Sequence, residues 1–255
     1  MNTVMFMESM INTLKYDSKF KDKKAQLLPI VRRSYINSLP QYEFVYHGRS
    51  GQHYENIEIR VPIPLIDEAN KLHNELYELV SYVYEESDDY GLGGVIIRPK
   101  ILTSDEVEYN EHDVVFSEIQ ETIVQGIRDA KYMIWVAVAW FTNQALIDEL
   151  LAKQKQGVNV RLVISDEDAN KRSYKQLSEN FDLLLIPRRG WSDWNRMHDK
   201  FCIIDLEYVM HGSYNWTKTA NENDETLATA LDRDFVKKFA DEFISLYNQG
   251  HRVSE

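Results

Sequence analysis

The chain has 255 residues, 44% hydrophobic and 12% aromatic, which supplies core material for one large or two small domains. Its single cysteine, Cys202, excludes an intrachain disulfide, and its longest apolar run, Tyr132 to Phe141, is too short to cross a bilayer as a helix. A net charge of −12 works against loose, sequence-independent binding to a phosphate backbone.

The start, Met1 to Tyr16, carries Glu8 early and lacks a basic stretch followed by a continuous apolar one. No secretory leader is expected, and a soluble, cytoplasmic protein is. Residues 1–112 read as an N-terminal α+β region without a recognisable motif. Strands are expected at Tyr42 to Tyr46 and Ile57 to Pro62, around a polar turn from His47 to His53. Pro64 opens a helix predicted to run to about Glu86. Along it Leu65, Ala69, Leu72, Leu76, Leu79 and Val83 repeat at heptad spacing. Such a stripe either packs on the region's own core or offers a docking face to a partner. Gly91-Leu92-Gly93-Gly94 lacks the lysine and helix start of a phosphate loop, so Asp88 to Gly94 reads as a hinge loop before a short strand, Val95 to Ile97. Acidic Thr103 to Asp113 reads as the linker to a second domain, 113–255.

From there strands and helices alternate. A helix is predicted over Phe116 to Ala130, with Ile119, Ile123 and Ile127 on one stripe, then a buried strand, Met133 to Trp140. The helix Asn143 to Lys155 closes at Gly157. Strand Val158 to Ser165, helix Asp168 to Asn180 and strand Leu183 to Ile186 follow. The next loop sets Arg188, Arg189 and Arg196 against Asp193 and interleaves Trp191 and Trp194. Arginines can hold a nucleic-acid backbone while indoles stack bases, so these five residues are nucleic-acid-binding candidates. The competing reading is a surface loop with inward-packed tryptophans.

The chemistry concentrates in His198-Asp199-Lys200-Phe201-Cys202-Ile203-Ile204-Asp205, an H-x-K-x4-D pattern, and in Gly212-Ser213-Tyr214-Asn215-Trp216-Thr217. Alternation predicts a strand from Met197 to Asp205, which would put His198 and Lys200 on one face about 6–7 Å apart. A turn at Leu206-Glu207 returns the chain through Tyr208 to His211, bringing Gly212 and Ser213 beside that face. A neutral imidazole can attack phosphorus, and a lysine stabilises the charge that attack builds. Backbone N–H groups, the Ser213 hydroxyl and the Asn215 amide can bind phosphate oxygens. Glu225, expected to open the strand running to Leu231, is the candidate for orienting the histidine. Asp232 caps a last helix, Asp234 to Asn248.

This constellation resembles the phospholipase D superfamily over roughly Val114 to Tyr247, about half of the chain. The resemblance implies an α/β fold with a mixed sheet flanked by helices, and two-step phosphoryl transfer through a histidine intermediate with no metal or other cofactor. It makes His198 the nucleophile or its acid partner, Lys200, Asn215 and Ser213 phosphate ligands, and Glu225 the residue orienting the histidine. Asp205 and Gly212 become structural members of the motif. The family's site needs two such motifs, and this chain has one. His47, His53, His73, His112, His211 and His251 all lack a lysine two residues on. Either the chain pairs with a copy of itself, as in single-motif nucleases that form two-fold dimers, or it is inactive.

The reading that follows is a metal-independent endonuclease acting on DNA or RNA as a homodimer or higher even oligomer. It could serve as an effector in bacterial defence, with the N-terminal region docking a regulatory protein. Lipid-directed phospholipase D activity and a non-catalytic nucleic-acid-binding module are the alternatives. His211 reads as a strand-end side chain, Glu222 and Asp224 as solvent-facing, and Asp166-Glu167-Asp168 as an acidic loop with a helix cap. His47 and His53 lack partners at zinc-ligand spacing.

Overall fold

Two sheets organise the computed structural model, one in each of two units, Met1–Val107 and Glu108–Glu255. The structure describes residues 2–41, 53–87, 90–100, 110–188 and 195–253.

In the first unit, helices α1 (Thr3–Tyr16) and α2 (Lys24–Arg33) precede strand β1 (Tyr35–Gln41). The Asn2 side chain caps α1, accepting from the Val4 and Met5 N–H groups at 3.1 and 3.2 Å. Strand β2 (His53–Val61) pairs antiparallel with β1 and parallel with β3 (Tyr90–Pro99). Helices α3 (Ile66–Lys71) and α4 (His73–Val83) make the crossover that a parallel pair requires. Ile57, Ile59 and Val61 point alternately into a core shared with Met10, Leu14, Leu27, Leu76 and Leu79.

Two expectations change here. The helix from Pro64 breaks at Leu72, whose backbone leaves helical geometry (φ −100°, ψ 22°), and the imidazole of the next residue, His73, bonds the Val95 carbonyl at 3.0 Å. Of the heptad stripe, Leu65, Ala69, Leu76 and Leu79 are buried within this unit. The glycine-rich stretch lies inside β3 rather than in a hinge. The register with β2 shifts between Glu55 and Asn56 opposite it, so the glycines accompany a bulge. The strand expected at Tyr42 to Tyr46 falls outside the described residues, while β1, just before it, escaped the pattern.

The second unit holds β4 (Glu111–Val115), α5 (Ile119–Asp129), β5 (Met133–Val138), α6 (Gln144–Lys155), β6 (Asn159–Ser165) and α7 (Lys171–Asn180). It continues with β7 (Asp182–Ile186), β8 (Lys200–Ile204), β9 (Tyr208–Gly212), β10 (Leu227–Leu231) and α8 (Arg233–Tyr247). The strand order is β4-β10-β9-β8-β5-β6-β7, parallel through β5, β6 and β7 and antiparallel elsewhere. This is a mixed α/β sheet flanked by helices. Alternation sorts the strand residues: Val136, Leu162, Cys202 and Met210 pack with Ile123, Ile127, Leu150 and Leu177 of α5, α6 and α7. Ala137, Val163, Phe201, Ile203 and Val209 pack with Val236, Phe243 and Leu246 of α8. The end of the expected linker is strand β4, held by pairing with β10.

The β8–β9 turn centres on Asp205 and Leu206, one residue earlier than expected. Both have positive φ (53° and 56°), and Glu207 N–H bonds the Ile204 carbonyl at 3.0 Å. The Asp205 carboxylate accepts the N–H groups of Lys131, Tyr132 and Met133, each at 2.8 Å. It thereby ties the turn to the start of β5. Asp205→Ala should cost about 2–4 kcal/mol of stability, since three N–H groups lose a charged acceptor. Urea unfolding checks this, and an unchanged midpoint would remove Asp205 from the scaffold.

Candidate active site

Antiparallel pairing gathers the motif at one edge of the second unit's sheet. Phe201 lies opposite His211 and Gly212 opposite Leu227, so the beginnings of β8 and β10 meet the end of β9. Val138, at the end of β5, lies opposite Lys200. Ser213, Asn215 and Glu225 follow or precede these strand ends. Gly212 is required there: a Cβ would sit 2.0 Å from the Thr226 carbonyl oxygen.

His198 is not on a strand. The ladder begins at Lys200, and the preceding backbone is held by other bonds. The Ala139 N–H donates to the Asp199 carbonyl at 2.9 Å, and Ser165 Oγ donates to the Met197 carbonyl at 2.5 Å. Lys200 Nζ turns back and donates to the His198 carbonyl at 2.7 Å, leaving other ammonium donors for a ligand. The His198 ring is exposed and makes an edge-on contact with Trp140, centroids 5.7 Å apart and planes at 80°. Burial lowers the His198 pKa below its ordinary value. The Lys200 and Arg196 charges push the same way, against Asp199. The imidazole is thus biased toward its neutral form at pH 7. Burial also lowers the Lys200 pKa, opposed by Asp199 and Glu225.

Ser213 Oγ donates to Glu225 Oε2 and accepts the Thr226 N–H at 3.0 Å. Asn223 Nδ2 donates to Glu225 Oε1 at 3.3 Å. Glu225 therefore braces Ser213, two residues before β10 starts, and does not hydrogen-bond His198. Within one chain its side-chain partners are the serine hydroxyl and the asparagine amide. Asn215 Oδ1 is buried without a hydrogen-bond partner, so this amide is uncommitted.

The basic loop is anchored by a residue that the sequence reading assigned to an acidic cap. Buried Glu167 receives Arg188 at 2.9 Å and Arg196 at 3.3 Å. One carboxylate thus offsets part of the charge expected to face nucleic acid. Arg189, Trp191 and Trp194 lie outside the described residues.

Sequence reasoning missed Trp140, Ser165 and Asn170. The signal was position: Ser165 ends β6, and Trp140 and Asn170 follow the carboxyl ends of β5 and β6, where open α/β sheets bind ligands. Asn170 donates to the carbonyls of Ala139 (2.7 Å) and Ser165 (2.8 Å) and accepts the Phe141 N–H (2.9 Å).

These features define a phospholipase D-like domain, and comparison agrees. Residues 123–247 match the family described as "Cardiolipin synthase, PLD-like domain". The fold matches a phospholipase D family member, Nuc, from Salmonella typhimurium, with TM-score 0.51 and 24% identity, over 58% of this chain and 100% of that one. NucT from Helicobacter pylori matches with TM-score 0.50 and 20% identity, over 57% and 99%. Residues 123–247 of this chain therefore form a phospholipase D-like domain. Among curated relatives, "Mitochondrial cardiolipin hydrolase" of Danio rerio is 27% identical over 126 residues, covering 49% of this chain and 55% of the relative. The protein of the same name from Chlamydomonas reinhardtii is 31% identical over 114 residues, 44% and 50% respectively. The chain spans about half the length of these relatives.

In an NMR titration, the His198 ring should show a midpoint below 6.5. Lys200→Met and Trp140→Ala should each move it upward, one by removing a cation and the other by readmitting water. Trp140→Phe should leave it close to the wild-type value. Midpoints indifferent to both neighbours would refute this account of the ring's environment.

Proposed function

We propose that the chain is a metal-independent phosphodiesterase, an endonuclease acting on DNA or RNA through a covalent phosphohistidine on His198. The observation that carries this reading is the gathering, at one sheet edge, of a neutral-biased imidazole, a lysine and an uncommitted asparagine amide. An unprotonated ring nitrogen of His198 attacks phosphorus, and the P–O bond to the leaving oxygen breaks. Lys200 and Asn215 carry the charge on the phosphoryl oxygens, and Ser213 joins them by turning its hydroxyl from Glu225 toward the substrate. The leaving oxygen takes a proton from a second imidazole. Water, giving its proton back to that imidazole, then cleaves the P–N bond and releases a phosphate monoester.

One chain offers one such motif, so the second imidazole in this reading is His198 of the partner subunit in a two-fold homodimer. The first unit would then be the place for a regulatory partner, as in a defence effector. That part fails if the isolated chain cuts freely and captures nothing.

A second reading, hydrolysis of a phospholipid diester, has its own support. Phe116 is 70% exposed and Val114 47%, and they flank Val115, which pairs with Leu227 at the site edge. An apolar rim suits a membrane surface. The names of the relatives point the same way.

Labelled single-stranded DNA, duplex DNA, RNA and cardiolipin vesicles, each incubated with EDTA, separate the readings. Cleavage of a nucleic acid should persist in EDTA and vanish in His198→Ala. Lys200→Met should lose about 10²–10³ in rate. Turnover of the vesicles alone would favour the lipid reading, and cutting that EDTA abolishes would sink both.

Titrating His198→Ala protein into wild type under subunit exchange tests the shared site. Activity should fall with the square of the wild-type fraction, because a mixed dimer lacks one of the two imidazoles. A linear fall would place a complete site in each chain.

A further inference from the structure

The first unit carries a cavity of about 440 Å³ between the start of α1, the end of α4 and the β2–β3 edge. Met5, Phe6, Tyr84 and Tyr90 supply much of its wall, and Glu55 and Glu85 its charge. Glu55 is the unusual member. It sits on the core side of β2, 7% exposed, yet only neutral hydroxyls meet its carboxylate. Ser38 Oγ donates to Oε2, and the Tyr84 phenol donates to Oε1 at 2.8 Å. Among the described residues no cation pairs with it. A buried carboxylate held only by hydroxyls keeps a desolvation penalty that a cation would offset. Each oxygen also retains a lone pair for another donor.

The walls suit the same ligand. Phe6 and Tyr84 pack edge to face with centroids 6.4 Å apart, and Tyr90 is 39% exposed nearby. Aromatic faces attract an organic cation and exclude water from it. The helix end is not the attraction, because the Asn2 side chain already takes the first free N–H groups of α1. Burial, Glu55 and Glu86 push the Tyr84 phenol well above its usual range, so it stays a donor.

We propose that this cavity binds an organic ammonium group, carried by a small amine or by a lysine side chain of another polypeptide. Both sources share one chemistry: a primary ammonium on a flexible apolar stem, its head on Glu55 and its stem along Phe6 and Tyr90. The site lies in the first unit and stands apart from the phosphodiester reaction. It gives that unit a sensing or docking role of defined chemistry.

Isothermal titration of the full chain with n-butylammonium, spermidine and N-acetyl-lysine amide tests this, with n-butanol as the neutral control. At least one amine should give saturable heat, and n-butanol none. Glu55→Gln should weaken that binding about 30-fold or more. Without amine it should melt no lower than wild type, because it removes an uncompensated buried charge. Tyr90→Ala, at the rim, should weaken binding about 2–5-fold. A preference for n-butylammonium or spermidine assigns a small amine, and a preference for the blocked lysine assigns a polypeptide. Failure of every amine to bind overturns the proposal, as does wild-type affinity in Glu55→Gln. Should Glu55→Gln not fold, Tyr90→Ala decides, and unchanged affinity there is fatal. Phosphodiesterase assays do not enter this test, so the two proposals fail separately.

Discussion

The site depends on the side chain of Asn170, which is wholly buried and bonds three backbone groups. Strands β5 and β6 end beside each other, where the Ser165 N–H also donates to the Ala139 carbonyl at 3.3 Å. Asn170 bridges these ends from the β6–α7 connection. Its bonds to Ala139 and Phe141 flank Trp140 on both sides. The Ala139 N–H in turn fixes Asp199, and Ser165 fixes Met197, so the backbone on either side of His198 is pinned to the same frame. In the proposed role of nucleophile, a loop imidazole needs such support, because without it the ring samples many orientations at an entropic cost to reaction. The exposed chemistry of His198 thus rests on buried amide geometry two strands away.

Charge is handled with similar economy. The chain as a whole repels polyanions, and Glu167 absorbs part of the arginine charge that precedes the motif. What remains at the site is Lys200, partly desolvated and therefore stronger in its local field. Under the proposed function, such a molecule would hold a phosphate tightly at one point and loosely elsewhere. That arrangement favours selective engagement over sliding along duplex, and it leaves room for a partner to supply the missing cations.

The motif and its sheet were legible because their signals are local. Alternation from Phe201 to Ile204, the apolar run of β5 and the strand of β6 each carry period-two patterns long enough to read. Gly212 was legible as a motif member, though its reason, the Thr226 carbonyl against it, exists only in the fold. Other features are set by distant partners. Strand β4 begins in an acidic stretch and is a strand because β10 pairs with it. The glycines of β3 look like a hinge until β2 bulges opposite them. His198 was read as a strand residue because alternation cannot show where a tertiary bond, Ala139 to Asp199, ends the ladder. Glu225 was matched to the histidine by chemistry alone, and its partners within one chain, Ser213 and Asn223, exist only in the fold.

A single imidazole cannot attack as a free base and donate a proton to the leaving group in the same step. Four other histidines are engaged elsewhere. His73 bonds a carbonyl in the first unit, and His112 is held by Asp232 at 3.0 Å. His211 packs against Phe235 and Phe239, on the α8 side of the sheet. His251 faces Asp166 at 3.5 Å and bridges to Leu185 of β7. Strand β7 stands three strands from β8, about 14 Å across the sheet. Each of these rings is tied to a carbonyl, a carboxylate or an aromatic wall that fixes its place. In the proposed homodimer the acid would be another His198, which is exposed at a sheet edge. Both rings start neutral-biased, so the first proton they share must come from solvent. The acid limb of the pH profile would then belong to the pair rather than to either ring.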